Sequence, residues 1–300
     1  MNAEEMSINQ KEVQVSVKKR SQFKSIWFRY KKNKLAVIGL VLLLSMVTVA
    51  ILADVIVNYE AKAVRQNISE RLKHPSKEYI FGTDHVGRDI FARIIHGSRI
   101  SIFLGLITIG VSLATGSIIG AAAGYYGGRI DNILMRLMDV LLAVPSILLA
   151  ISIVAALGPG LINILIAMSV AQIPRFARIV RASIMSIMGL EFIEAAKACG
   201  TKDRRIILKH IIPNAIGPII VQATLSMATT ILTISSLSFV GLGIEPPTPE
   251  WGAMLSDGRV QMRNYPYLVI IPGLAIMCAV LGLNLIGDGL RDALDPKLRN

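Results

Sequence analysis

Six long apolar segments constrain this 300-residue chain more than any other feature of its sequence. A bilayer core of about 30 Å needs about 20 apolar residues per helix, and each segment meets or approaches that length. Apolar residues make up 53% of the chain and charged residues only 17%, more apolar material than one soluble core needs. The sequence therefore predicts an all-α polytopic membrane protein with six transmembrane helices, at residues 35–57, 100–126, 134–157, 161–181, 214–242 and 265–286.

Basic residues flank these segments and predict their orientation. In a soluble protein the net charge of +12 would suggest nucleic acid, but here the cations border long uncharged stretches, so we expect a lipid bilayer and no nucleic acid as partner. Basic stretches precede the first helix and follow Pro174, which predicts a cytoplasmic position for both termini. The predicted units are a basic cytoplasmic segment (1–34), the first helix (35–57), an extracytoplasmic loop (58–99), a transmembrane core (100–286) and a cytoplasmic tail (287–300).

Two features inside the core concern helix packing. Pro174 interrupts the fourth segment, and we expect its membrane part to end near that proline, with a basic face continuing into water. The second segment carries Gly116, Gly120 and Gly124, a spacing that allows another helix to approach its backbone closely. This pattern fits packing within one subunit, and it also fits an interface between subunits.

The sequence lacks four common motifs of enzyme sites. It lacks the Gly-x-x-x-x-Gly-Lys-Ser/Thr loop that cradles nucleotide phosphates, and it lacks HExxH, GxSxG and CxxC. Asp54, Arg136 and Asp139 are the charges that fall within predicted helices, and they do not assemble a catalytic set. Arg136 and Asp139 lie three apart, which predicts a local ion pair, with a transport role as the alternative. We expect no catalytic residue and no cofactor.

A polar stretch before the second segment predicts a short external helix. Asp84 can cap a helix running from Val86 to His96. His85 and His96 would then lie about 16 Å apart along that helix, too far to share one metal ion. We therefore expect no metal site here.

The most informative loop spans residues 191–213. It predicts a short helix, a turn at Gly200 where glycine can adopt positive φ, and a second helix capped by Thr201 that returns to the membrane at Pro213. Glu191, Glu194 and Lys197 occupy the other sides of the first helix. The apolar residues of that helix recur at helical spacing and predict one face that needs a partner, formed by Phe192, Ala195, Ala196 and Cys199.

Three parts of the chain resemble one family. Glu194-Ala195-Ala196, followed by Gly200 and Ile212-Pro213, resembles the EAA loop of ABC importer permeases, although His210 and Ile212 stand where the family has isoleucine and leucine. The stretch 81–89 and the stretch 287–296, which includes Asp295-Pro296, resemble the peptide and nickel branch. With the basic leader and single amino-terminal span, the chain is similar to the second permease type of dipeptide, oligopeptide and nickel transporters.

The resemblance implies a complex in the plasma membrane of a prokaryote. Its other members would be a second permease, two ATP-binding subunits that hydrolyse ATP, and an extracytoplasmic solute-binding protein. This chain would form half of the pathway for dipeptides or oligopeptides. Nickel or another small solute is the alternative cargo, and a secondary transporter without an ATPase is the alternative class. The implied coupling residues are Glu191, Phe192, Glu194, Ala195, Ala196 and Gly200.

The fifth segment carries a polar stripe. Its members recur in steps of four, three, four and three, which gathers them on one side of a helix. Such a stripe fits a substrate pathway and equally fits hydrogen bonding between helices in lipid. The residues are Gln222, Ser226, Thr229, Thr233 and Ser236.

Overall fold

The computed structural model describes residues 22–294, and most of this range is helical. The predicted leader before Gln22 and the predicted Asp295-Pro296 motif lie outside the described residues. Within that range the only strand-like pairing is a single bridge between Thr83 and Asp89. The helices are α1 (Gln22–Lys32), α2 (Lys34–Ile51), α3 (Ala53–Ile56), α4 (Ile90–Tyr126), α5 (Gly128–Leu142), α6 (Ser146–Leu157), α7 (Leu161–Met188), α8 (Glu191–Ala198), α9 (Asp203–Ile206), α10 (Ile212–Phe239), α11 (Trp251–Arg259) and α12 (Tyr267–Leu294).

Short helical elements of other kinds complete the chain. A π-helix (Tyr59–Val64) and a 3₁₀ turn (Ile68–Glu70) lie between α3 and α4. A second π-helix, Ile207–Ile211, joins α9 to α10. Helix α9, this π-helix and α10 form one continuous apolar element, Asp203–Phe239.

Five helical elements in the described part of the chain are long and apolar enough to cross a membrane, or up to six if one bent pair counts as a span. The bent pair is α5 and α6, whose axes meet at 82°. The predicted continuous helix over 134–157 is therefore wrong. Pro145 lacks a backbone N–H and disfavours helix at the residue before it, so the first helix ends at Leu142 and the second begins at Ser146.

Ion pairs fix α5 against α7. Asp131 accepts two hydrogen bonds from Arg181, and Asp139 accepts one from Arg178. The predicted pair between Arg136 and Asp139 is wrong, because the carboxylate of Asp139 turns to the neighbouring helix.

The structure also defines the ends of two long helices. Helix α7 runs without interruption through Pro174 to Met188, so the basic residues that follow the proline continue the same helix. The predicted start of the external helix at Val86 is wrong, because α4 begins at Ile90 and continues into the second span. Its cap is the carboxylate of Asp89, which accepts a hydrogen bond from the N–H of Phe91 at 2.9 Å.

The glycine stripe of α4 packs against α7 of the same chain. A Cβ atom at Gly120 would lie 2.3 Å from the carbonyl oxygen of Ala177, and one at Gly116 would lie 2.6 Å from Cβ of Phe176. No side chain fits at such distances, so the backbones touch. The structure confirms packing within one subunit as the role of this stripe.

The helices give the bundle two ends. The cap end contains residues 52–99 and 240–266, which contact each other through Arg93 and Pro247. The loop end contains α1, α8 and α9 and the last turns of α12. There Tyr125 at the end of α4 donates a hydrogen bond to Asp203 at 2.6 Å.

Candidate coupling loop, polar stripe and cap

Helix α8 is a two-turn helix at the loop end, attached to α7 through Gly189 and Leu190. It ends at Cys199, and Gly200 follows with φ of +70°, the left-handed conformation that the sequence predicted. The predicted cap by Thr201 is wrong, because α9 begins at Asp203 and its first turn receives no side-chain cap. The acids Glu191 and Glu194 lie in the first turn of α8, where carboxylates interact favourably with the helix dipole.

The face of α8 that packs within the chain differs from the predicted one. Ile193 is fully buried, and it packs in a cluster with Ile184, Ile206 and Ile211. Ala196 packs against the same cluster and is half-buried. The inward face therefore combines Ile193 and Ala196, three residues apart. The predicted place of Ala196 on the free face is wrong, because the packing of α8 against α7 and α9 turns its side chain inward.

The remaining apolar residues of α8 point away from the chain. Phe192 is 41% exposed, and Ala195 and Cys199 are also exposed. Exposed aromatic rings on a short helix at the end of a bundle are typical of contact surfaces. The structure thus leaves a small apolar patch, Phe192, Ala195 and Cys199, that nothing in the described part of the chain covers.

Sequence reasoning missed a clamp that holds α8 and α9 to α4. The ammonium of Lys197 lies 5.5 Å from the ring centroid of Tyr125, whose hydroxyl donates to Asp203. A tyrosine at the last turn of a predicted span is a common interfacial residue, so no sequence signal marked it for this role. The clamp connects three elements at the point where the loop meets the bundle.

The polar stripe of α10 divides into an inner and an outer part. Ser226 is buried and accepts a hydrogen bond from the side-chain amide of Gln222 at 2.9 Å. Thr229 and Ser236 are exposed and Thr233 half-buried, and each hydroxyl donates to a carbonyl of its own helix. Within residues 22–294, the outer hydroxyls therefore donate no hydrogen bond to another helix.

Gln222 also lines a cavity. This open cavity of about 430 Å³ lies between α10 and α12 at the loop end, and Arg291 is the only charged residue among those that line it.

Other polar residues form the hydrogen bonds that connect helices inside the bundle. Gln172 donates to Thr230 at 3.2 Å, and Ser112 donates to the carbonyl of Ser169 at 3.1 Å.

Asp84, at the cap end of the bundle, does not cap a helix as the sequence predicted. It belongs to a buried network of ion pairs. Its carboxylate accepts backbone hydrogen bonds from Val86 and Arg88 and pairs with the Nε atom of Arg88 at 2.5 Å. Arg88 continues to Asp257 of α11 at 3.2 Å, and Arg93 lies 3.7 Å from Asp84. Both arginines are only 2% exposed. The network ties the first cap segment to the second.

Two further carboxylates in the cap are buried. Glu250 caps α11 by accepting the N–H groups of Gly252 and Ala253 at 2.9 and 2.8 Å. Burial raises the pKa of Glu250, and these N–H groups oppose the shift. Burial likewise raises the pKa of Asp89 above its ordinary value of 3.8.

The histidines considered for metal binding have separate surroundings. The Nε2 atom of His96 lies 2.9 Å from the carbonyl oxygen of Val57, and its ring packs edge-on against Tyr59. His85 is half-buried beside Asp84 and Arg93. No group of three or more His, Cys, Asp or Glu side chains between residues 22 and 294 has the arrangement of a metal site.

Comparisons with known proteins place these features in one family. The family described as "Binding-protein-dependent transport system inner membrane component" matches residues 116–300, and "N-terminal TM domain of oligopeptide transport permease C" matches residues 21–75. The dipeptide transport system permease protein DppC of Alkalihalophilus pseudofirmus is 49% identical over 93% of this chain and 91% of its own length. The oligopeptide transport system permease protein OppC of Bacillus subtilis is 42% identical over 95% of this chain and 93% of its own length.

A solved structure supports the fold. An inward-facing structure of the MetNI methionine ABC transporter contains a chain that aligns with a TM-score of 0.55 at 16% identity. The alignment covers 68% of the present chain and 96% of that one. About a third of the present chain therefore lies outside the shared part.

Proposed function

The chain belongs to the family of binding-protein-dependent transport system inner membrane components, and from this premise we propose that it is a permease subunit of an ATP-driven importer of dipeptides or oligopeptides. Permease subunits have a non-catalytic role, and the sequence has no phosphate-binding loop. The working complex would add a second permease, two ATP-binding subunits and an extracytoplasmic solute-binding protein. ATP hydrolysis in the partner subunits would drive opening of the pathway to alternate sides.

The loop end is proposed to face the cytoplasm. Residues 22–34 and 174–213 carry thirteen Lys or Arg and three Asp or Glu, an excess of positive charge typical of cytoplasmic segments. Residues 52–99 and 240–266 of the cap carry ten Lys or Arg and nine Asp or Glu. In a Cys278→Ser background, a membrane-impermeant thiol reagent should label Cys199 only after permeabilisation. Ready labelling in intact cells would contradict this orientation.

Coupling to the ATPase is proposed to occur through the apolar patch on α8. The observation that carries this proposal is the division of that helix, because Ile193 anchors it to the chain while Phe192 stays exposed. A short helix attached to both α7 and the long element Asp203–Phe239 can transmit a push to two spans. Glu191 and Glu194 would border the contact, and Gly200 would set the direction in which the chain leaves it.

The test reconstitutes the complex with Phe192→Asp, Glu194→Lys or Ala195→Arg and measures uptake together with substrate-stimulated ATP hydrolysis. We expect both to be lost, with the chain inserted at normal levels. Gln66→Arg, an exposed position in the cap, is the matched control for an added charge. Ala196→Arg is unsuitable, because that side chain is half-buried and the variant would disturb the loop itself. Normal uptake and stimulation in all three variants would overturn the coupling proposal.

The outer hydroxyls of α10 are proposed to line the pathway. Thr229, Thr233 and Ser236 satisfy their hydroxyls within their own helix and so remain available to a substrate or to the second permease. Thr233→Val should leave stability unchanged within about 0.5 kcal/mol. A change in the KM for uptake would support the proposal, and an unchanged KM in Thr229→Val and Thr233→Val would contradict it.

The cargo needs its own measurement. Uptake by the reconstituted complex should be competed by dipeptides or short oligopeptides. Competition by nickel without competition by any peptide would contradict the peptide assignment.

A further inference from the structure

An apolar groove at the loop end has no role in the proposed transport cycle. It has a volume of about 230 Å³ and lies where α1, the first turns of α2 and the last turns of α12 meet. The hydroxyl of Tyr30 donates to the carbonyl of Ala36 at 2.9 Å, so the only polar atom among the lining side chains, apart from the Trp27 indole, is satisfied within the wall. The lining residues are Ile26, Trp27, Tyr30, Leu40, Ile286 and Leu290.

Helix α1 has the character of a helix that lies in a membrane interface. Its eleven residues are too few to span a bilayer, and Trp27 and Phe28 are 45% and 54% exposed. The ammonium of Lys31 lies 5.1 Å from the Trp27 ring centroid, and that of Lys32 lies 4.8 Å from the Phe28 ring centroid. Exposed aromatic rings beside lysines are typical of the headgroup depth of a bilayer.

The charge around the groove is positive. Residues 22–34 contain five Lys or Arg and no Asp or Glu. The nearest acids lie on α12, where Asp292 accepts a hydrogen bond from Asn33 at 3.1 Å and Asp288 is exposed. An anion placed over Lys31 would therefore meet cations on α1 directly beside the apolar wall.

We propose that this groove holds one acyl chain of an anionic phospholipid, with the phosphate of its headgroup against Lys31 and Lys32. The groove is smaller than the ~300 Å³ at which pockets for drug-sized molecules begin, and it suits a segment of a single chain. A free anion would use the lysines but not the groove. An apolar partner would use the groove but not the lysines.

The tightness of the packing beside the groove keeps its shape fixed. A Cβ atom at Gly289 of α12 would lie 2.1 Å from Cβ of Ala36, and one at Gly39 would lie 2.6 Å from Cβ of Leu285. Helices α2 and α12 thus touch through their backbones directly behind the lining residues. The lining residues Leu40 and Leu290 therefore follow directly after closely packed backbone.

The test titrates the purified full chain with phosphatidylglycerol or phosphatidylcholine of identical acyl chains and follows binding by native mass spectrometry. The wild-type chain should bind phosphatidylglycerol more tightly. Lys31→Gln and Lys32→Gln should each weaken phosphatidylglycerol about fivefold and leave phosphatidylcholine unchanged. Lys77→Gln and Lys202→Gln, which remove exposed cations elsewhere, are the matched controls.

A second pair of variants tests the groove itself. Trp27→Ala removes an exposed part of the wall and should weaken both lipids, whereas Phe28→Ala removes a ring outside the groove and should leave phosphatidylcholine unchanged. Equal binding of the two lipids by the wild-type chain, or equal losses in the control variants, would overturn the proposal. Displacement of phosphatidylglycerol by inorganic phosphate alone at millimolar concentration would also overturn it, because the acyl chain would then contribute nothing.

Discussion

The two ends of the bundle are stabilised by different kinds of interaction. At the cap, buried charges with several partners connect distant parts of the chain, as Arg88 does between Asp84 and Asp257. At the loop end, one buried isoleucine and the Tyr125 clamp hold α8. Removing one partner of a buried ion pair costs far more than removing a surface contact. The difference indicates that the cap is part of the stable framework and that α8 can detach while the framework stays folded.

The largest effect is expected from Asp84→Leu. The substitution leaves the buried Arg93 without its carboxylate and leaves Arg88 with Asp257 alone, and the loss of one partner of a buried ion pair costs about 3–5 kcal/mol. The detergent-solubilised variant should unfold at a clearly lower temperature and accumulate poorly in the membrane. Glu78→Gln, an exposed cap acid, should change neither property. An unchanged Tm for Asp84→Leu would remove the distinction between the two ends.

Ile193→Ala tests the other side of the comparison. Loss of a buried isoleucine side chain costs about 2–5 kcal/mol, but here the loss should fall on the docking of α8 alone. Trypsin should cleave after Lys197 and Lys202 faster, while the global Tm stays near that of the wild type. Phe192→Ala, on the exposed face, should leave cleavage unchanged. A fall in Tm as large as that of Asp84→Leu would show that α8 belongs to the framework.

A smaller effect is expected at Gly200. Its φ of +70° suits glycine, and a Cβ atom there would meet open space, so the cost is conformational only. Gly200→Val should cost about 1–2 kcal/mol and raise trypsin cleavage at Lys202. Gly200→Asn is the matched variant, because asparagine tolerates the left-handed conformation. Equal cleavage of the two variants would contradict a conformational role.

The smallest effect is a pH dependence at the cap. Because burial raises the pKa of Asp89, the folded state binds more protons than the unfolded state, and this residue's contribution falls as pH rises above about 4. Asn keeps the oxygen that accepts from Phe91 but does not titrate. The Tm of the wild type minus that of Asp89→Asn should therefore decrease from pH 4 to pH 6. A difference that increases over this range would contradict the predicted sign.

The sequence predicted the features that depend on local pattern. The apolar segments, the close-packed glycines of α4 and the turn at Gly200 all follow from spacing or from the needs of one residue type. The break at Pro145 was missed because average apolar content does not report helix continuity. The inward face of α8 was not predicted, because the elements that pack on Ile193 and Ala196 determine it, and they are distant in the sequence pattern.

Charged residues were the least predictable part. Neighbours in sequence suggested a pair between Arg136 and Asp139, and a cap by Asp84. In the structure Asp139 pairs with Arg178 on another helix, and Asp84 pairs with Arg88 beneath α11. Such partners depend on which helices pack together, and sequence spacing carries no information about that.

The backbone contact between α4 and α7 has a mechanical consequence. Helices α4 and α7 touch at Gly116 and Gly120, so they cannot slide past one another without collision. We therefore expect the two helices to move as one rigid unit. Helix α4 has 37 residues and is about 55 Å long. A rotation of about 10° about its loop end would swing the opposite tip by roughly 10 Å. We therefore expect bending at irregular places outside this pair, such as the 82° break between α5 and α6 and the π-helix Ile207–Ile211.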